Sequence, residues 1–174
     1  MAQTYTVAAT GIASALNKSM IAVFNGSGSG RIVRVYRVWM LNTQPSAITG
    51  ALNTMELRRT SAGSGGTAIT PTKHDSTNES FPAQVVVSTN QTVTATDLLR
   101  RWIWSTDEPA AAAAVTIDEL ETMPALNLIW DVGYGESAVE PITLREGYGL
   151  SVQCTGSSAT GTADLFFECT LAST

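Results

Sequence analysis

The chain predicts an all-β fold, an antiparallel β-sandwich with long polar loops and at most one or two short helical turns. Three observations point there. Stretches rich in β-branched and aromatic residues recur at short spacing along 174 residues. Gly-, Ser- and Pro-rich segments separate them. The chain also closes on two strands within Pro141 to Leu171, joined by the small polar run Gly156 to Gly161. About eight to ten short strands in one domain fit a sandwich or barrel.

In order, residues 1–18 are expected to be an N-terminal arm that must dock to be ordered, ahead of a single β-sandwich domain over 19–174. Ile12 to Leu16 is a weak amphipathic turn, and Ser19 to Asn25 is a short apolar strand. Gly26 to Gly30 (GSGSG) suits a hairpin loop. Arg31 to Asn42 (RIVRVYRVWMLN) is the strongest strand. Its alternation is imperfect. Val33, Val35, Trp39 and Leu41 share a face with Arg37, while Ile32, Tyr36, Val38 and Met40 share the other with Arg34. Two partly apolar faces predict that both are covered, one by the core and one by a neighbouring subunit or loop.

Gly50 to Ser61 alternates as a half-buried strand, with a Gly/Ser tip at Ala62 to Gly66 and a short return strand at Thr67 to Thr70. Thr72 to Pro82 reads as an exposed polar loop and Ala83 to Ser88 as a strand. A polar turn over Asn90 to Thr96 then leads to a strand, Asp97 to Ser105, dominated by Trp102, Ile103 and Trp104. Thr116 to Glu119 has capping-box spacing, which predicts a short helix reaching Met123. Leu126 to Val132 is a further strand with Leu126, Leu128 and Trp130 on one face.

Composition limits function. Charged residues are only 14% and the formal net charge is −5. Four of the arginines come as the pairs Arg58-Arg59 and Arg100-Arg101, which strand geometry splits between opposite faces into salt-bridge or rim positions. With no basic run to neutralise phosphates, no nucleic-acid partner is expected. No apolar run approaches the ~18 residues of a membrane span, so no membrane partner is expected. The start MAQTYTVAATG has no basic segment followed by an apolar core, which predicts synthesis in the cytoplasm.

Cys154 and Cys169 are expected to be buried thiols. A closing hairpin centred between Ser158 and Ala159 would pair Cys154 with Ala163 and Cys169 with Tyr148. That separates the sulfurs beyond the ~7 Å Cα limit for a disulfide.

No catalytic, cofactor-binding or metal-binding signature is present. There is no GxSxG, GxGxxG after a strand, HExxH or CxxC motif. His74 beside Asp75 lacks a second histidine or a well-placed thiol to build a site. The acids Asp118, Glu119 and Glu121 lack the alternation and the glycine of a calcium loop. The expectation is a non-enzyme, with Tyr36, Trp39, Trp102 and Trp104 as the interface candidates.

The closing segment, ITLREGYGLSV, a small-residue loop and TADLFFECTL, resembles the last hairpin of jelly-roll virion proteins of tailed bacteriophages. The corner Leu144-Arg145-Glu146-Gly147 is also similar to the turn of trimeric TNF-like and C1q-like jelly rolls. The likeness implies a jelly-roll-like sandwich and a structural job. That job is a decoration (cement) protein on the outer surface of a phage capsid, bound to the major capsid protein and self-associated as a homotrimer. Alternatives are a tail, baseplate or head-fibre component, or a carbohydrate- or receptor-binding jelly roll using Tyr134, Tyr148 and His74.

Overall fold

The structure is a computed structural model that describes residues 3–44, 52–105, 127–132, 140–155 and 161–174. These form twelve strands and no helix: β1 (Gln3–Ala13), β2 (Ser19–Asn25), β3 (Arg31–Asn42), β4 (Leu52–Ser64), β5 (Thr67–Ala68), β6 (Thr72–Lys73), β7 (Val85–Thr89), β8 (Thr92–Ser105), β9 (Asn127–Asp131), β10 (Ile142–Leu144), β11 (Tyr148–Cys154) and β12 (Thr162–Ser173). The helix expected at Thr116 to Met123 lies outside the described residues.

Two antiparallel sheets pack face to face. Sheet A runs β10-β3-β12-β1-β6, with β9 also paired to β3, and sheet B runs β5-β7-β2-β11-β4-β8. β9 meets Arg37 to Met40 and β10 meets Val33 to Val35, so the two are halves of one interrupted strand along the same edge of β3. Counting the long strands in sequence, with β9 and β10 as one, sheet A has the order first, eighth, third, sixth. Sheet B has second, seventh, fourth, fifth. Only β4 to β8 stays within one sheet. Every other step crosses the sandwich, which is the jelly-roll-like winding.

Residues 3–13, expected to be ordered only by docking, form β1 between β12 and β6, with Tyr5, Val7 and Ala9 in the core. The winding corrects two other expectations. The closing segment is not a hairpin. β11 pairs with β2 and β4, while β12 pairs with β1 and β3. Cys154 therefore pairs with Met55, and Ala163 with Asn42. The physical reason is that both strands carry apolar inward rows. Leu150 and Val152 look across the core toward Leu165 and Phe167 from opposite sheets, all fully buried. The loop Gly26 to Gly30 likewise crosses between sheets, from β2 to β3, instead of turning a hairpin.

Two smaller differences follow from register. The turn expected over Asn90 to Thr96 is confined to the region of Asn90 (φ 53°), and β8 already begins at Thr92. In β3, Glu168 faces Arg37 while Cys169 faces Val35, so Tyr36 is an extra residue in the ladder. This β-bulge switches the face of the strand. Val33 and Val35 point inward before it, and Val38 and Met40 after it, all fully buried. The imperfect alternation of RIVRVYRVWMLN is that switch.

The core holds Tyr5, Val7, Ile21, Val23, Met40, Met55, Leu57, Leu144, Leu165 and Phe167 among others. Each large side chain buried there contributes about 1.5–3 kcal/mol. One end of the sandwich is latched by polar groups. Buried Asn25 donates to the carbonyls of Arg31 (2.8 Å) and Leu144 (3.0 Å). The Glu146 carboxylate accepts the amides of Gly28 (3.0 Å) and Gly30 (2.8 Å), which holds it below the usual carboxylate range. Gly147 makes the corner possible at φ 81°, where a side chain would be strained.

Candidate interface

The outward residues of sheet A line up across four strands. β3 and β12 place Trp39 opposite Phe166, and the rings stack at 5.2 Å between centroids with 17° between planes. β9 sets Leu128 on the other side of Trp39, and β1 sets Ala8 on the other side of Phe166. Leu128, Trp39, Phe166 and Ala8 therefore form one apolar row on the outer face, with Leu128 41% exposed. The row exists because Val7, Val38 and Phe167 turn inward, which forces their neighbours outward.

A second row runs beside the first. Arg37 Nη1 meets Glu168 Oε2 at 3.1 Å, and Arg37 Nε meets Asp131 Oδ1 at 3.4 Å. Thr6 lies opposite Glu168, and its hydroxyl is 2.7 Å from His74 Nε2. An apolar stripe edged by ion pairs is the usual anatomy of a protein contact surface, with an apolar centre and a polar rim.

The outer face of sheet B differs. Ser19, Ala22, Ser88, Ser151 and Thr60 are small and buried. Gly149 is one of this set by necessity: a Cβ there would run into the Val23 carbonyl, the Thr60 hydroxyl and the Phe24 ring. Farther along, Glu56 is only 2% exposed. Its Oε2 accepts Arg58 Nε at 2.6 Å, and its Oε1 accepts Arg101 Nε at 2.8 Å and Nη2 at 2.5 Å. Burial pushes this carboxyl up, but the Arg101 and Arg58 bonds together outweigh it and hold the group below its ordinary value.

The four candidate aromatics do not share one surface. Trp39 is half-buried within the apolar row, and Tyr36 is half-buried at the adjoining bulge. Trp102 is half-buried and packs against the core, with its indole N–H buried and without a partner. Trp104 is 5% exposed and belongs to the core, so it has no face to offer a partner. Phe166, which completes the row, stands out in the sequence only as apolar mass of the last strand.

The arginine pairs split between faces as strand geometry requires. Arg58 and Arg101 hold Glu56, Arg59 Nη1 donates to the Thr143 carbonyl (3.1 Å), and Arg100 lies over the Trp130 ring at 5.7 Å. Cys154 and Cys169 are both buried thiols, on different sheets. Among the described residues, no group of three or more His, Cys, Asp or Glu is arranged to hold a metal ion, and no helix is long and apolar enough to cross a membrane. The acids Asp118 to Glu121 and Tyr134 lie outside the described residues.

Comparison with known proteins finds no matching family, no matching characterised protein and no matching solved structure.

Proposed function

We propose that the chain is a structural virion protein. In this reading it is a decoration (cement) protein on the outer surface of a phage capsid, made in the host cytoplasm, bound to the major capsid protein and self-associated as a homotrimer. The observation that carries the reading is the apolar row Leu128–Trp39–Phe166–Ala8 on the outside of a closed sandwich. An apolar surface rimmed by polar groups marks a site of association. Here sheet A would pack against copies of itself, leaving sheet B and the loops for the capsid and the solvent. The net charge of −5 supports an exterior position over one facing packaged DNA. The reading assigns no catalysis, cofactor, nucleic acid or membrane to the chain.

The test has two parts. Native mass spectrometry of the purified protein is expected to show trimers. The double variant Trp39→Ser/Phe166→Ser is expected to be a folded monomer whose occupancy on particles falls by at least about tenfold, the equivalent of about 1.4 kcal/mol. Mass spectrometry of particles carrying the protein is expected to count hundreds of copies. A handful of copies co-purifying with tails would replace the capsid reading with a tail, baseplate or head-fibre one.

A further inference from the structure

Sheet B carries a second feature, remote in chemistry from the apolar row. A shallow pocket of about 490 Å³ opens on its outer face, lined by Thr54, Glu56, Arg58, Arg101, Gln153 and Thr155. Glu56 is saturated by three guanidinium N–H groups. Two cations around one carboxylate leave a formal charge of +1. Arg58 Nη1 turns to the Thr96 carbonyl at 3.4 Å, so Arg58 Nη2 and Arg101 Nη1 have no acceptor among the described residues.

The floor is unfinished in a second way. Gln153 lies opposite Glu56 on β11 and is 7% exposed, and its side-chain amide makes no hydrogen bond among the described residues. Ser151, two residues earlier on the same face, also has a buried hydroxyl without a partner. Buried polar groups are nearly always satisfied. Unpartnered groups beside spare guanidinium donors are what a polar ligand would complete.

We propose that this pocket binds a carboxylate-bearing sugar, such as a hexuronate residue of an acidic polysaccharide. The ligand's planar carboxylate takes the spare N–H groups of Arg58 and Arg101, a geometry guanidinium forks suit. Ring hydroxyls meet the Gln153 amide and the hydroxyls of Thr54 and Thr155. Ile103, 70% exposed and paired with Thr54 on the same face, offers an apolar wall to the ring's C–H side. The volume lies within the range of small-molecule sites, about 300–1,000 Å³. An acidic peptide fits less well. β4 and β11 are each paired on both sides, so an extended peptide laid here finds no open ladder for its main chain. The inference uses neither Trp39 nor Phe166 and does not depend on self-association through sheet A.

Heteronuclear NMR of the full chain tests it, following the Gln153 side-chain amide and the Arg58 and Arg101 Nε–H signals. Glucuronate and an oligogalacturonate are expected to shift all three at millimolar concentration, while glucose and acetate leave them in place. Gln153→Ala is expected to weaken the uronate response at least about fivefold, and Gln153→Glu to abolish it by charge repulsion, with each variant's fold checked by its amide spectrum. Either variant failing to fold leaves the other, together with the wild-type titration, to decide. Unmoved signals with both uronates would overturn the proposal, as would an equal response to acetate alone or to a Glu-rich peptide, or undiminished uronate binding by Gln153→Ala.

Discussion

The two outer faces of this sandwich follow the same strand alternation and end with different surfaces. On sheet A the outward positions of four strands hold Leu128, Trp39, Phe166 and Ala8, in register. On sheet B the corresponding positions mix small side chains, such as Ala22, Ser88 and Ser151, and a buried carboxylate between two arginines with exposed apolar residues, Leu52 and Ile103 at 70% and Val86 at 41%. Alternation decides only which residues face out. What those residues are decides what the face can meet: sheet A presents one stacked apolar row, and sheet B a mixed surface with a charged pocket beside scattered apolar side chains. The ion pairs are more alike: Asp131 (7% exposed) and Glu56 (2%) are each held by a more exposed arginine, Arg37 at 42% and Arg101 at 60%, and Glu56 differs in having a second one, Arg58.

Adjacent phenylalanines on β12 give the sharpest way to break the comparison. Phe167 is fully buried in the core, and Phe166 stacks on Trp39 outside it. Phe167→Ala is expected to cost about 3–5 kcal/mol in denaturant unfolding, from lost burial and the cavity left behind. Phe166→Ala is expected to cost the isolated monomer about 1 kcal/mol or less and to act on association instead. Equal losses from the two would mean that the outer row is part of the monomer's own stabilising core, and the distinction between the faces would collapse.

Glu56 sharpens the other side. Its carboxyl lies below its ordinary value in the folded chain, so it adds stability above its unfolded pKa of about 4.3 that is lost as pH falls through the folded value. Wild-type unfolding free energy is expected to drop on acidification below about pH 4.5, and Glu56→Gln to flatten that limb. At neutral pH Glu56→Gln is expected to cost on the order of 1–3 kcal/mol, less than a fully buried pair because Arg101 is largely exposed. Arg37→Ala on sheet A is expected to cost under about 1 kcal/mol. The reverse ranking in chemical denaturation would put the structural ion pair on sheet A.

Much of this was legible in the residues, and the failures share a cause. The strand positions follow from β-branched and aromatic runs, and the splitting of Arg58-Arg59 and Arg100-Arg101 follows from a two-residue period. Long-range pairing does not. Alternating residues in β11 and β12 read the same whether the strands lie side by side or face each other across a core, so a crossover passes for a hairpin. Residues 3–13 carry the right alternation through Tyr5, Val7 and Ala9, but small Ala and Thr side chains make a weak apolar signal. The mixed faces of β3 record a bulge at Tyr36, visible only once its partner's register is known. Trp39 could be picked out as a large aromatic in a two-faced strand. Phe166 beside it, and Arg101 over Glu56, depend on strands brought together from distant parts of the chain.

The smallest expected effect concerns the inner faces, which the two sheets share. Cys169 sits on the inward row of sheet A, where burial, and secondarily Glu168 beside it, push its thiol up to about 12. An unfolded cysteine ionises near 8.5, so this group's contribution to stability is complete below that pH and fades as pH rises toward the folded value. At mildly alkaline pH almost none of the native thiol is the reactive thiolate. Iodoacetamide, followed by peptide-mapping mass spectrometry, is therefore expected to label Cys169 only through global unfolding. Its rate should rise with denaturant in step with the unfolding equilibrium. Fast labelling in native buffer, independent of denaturant, would mean that sheet A opens on its own. The inner faces would then differ as the outer ones do.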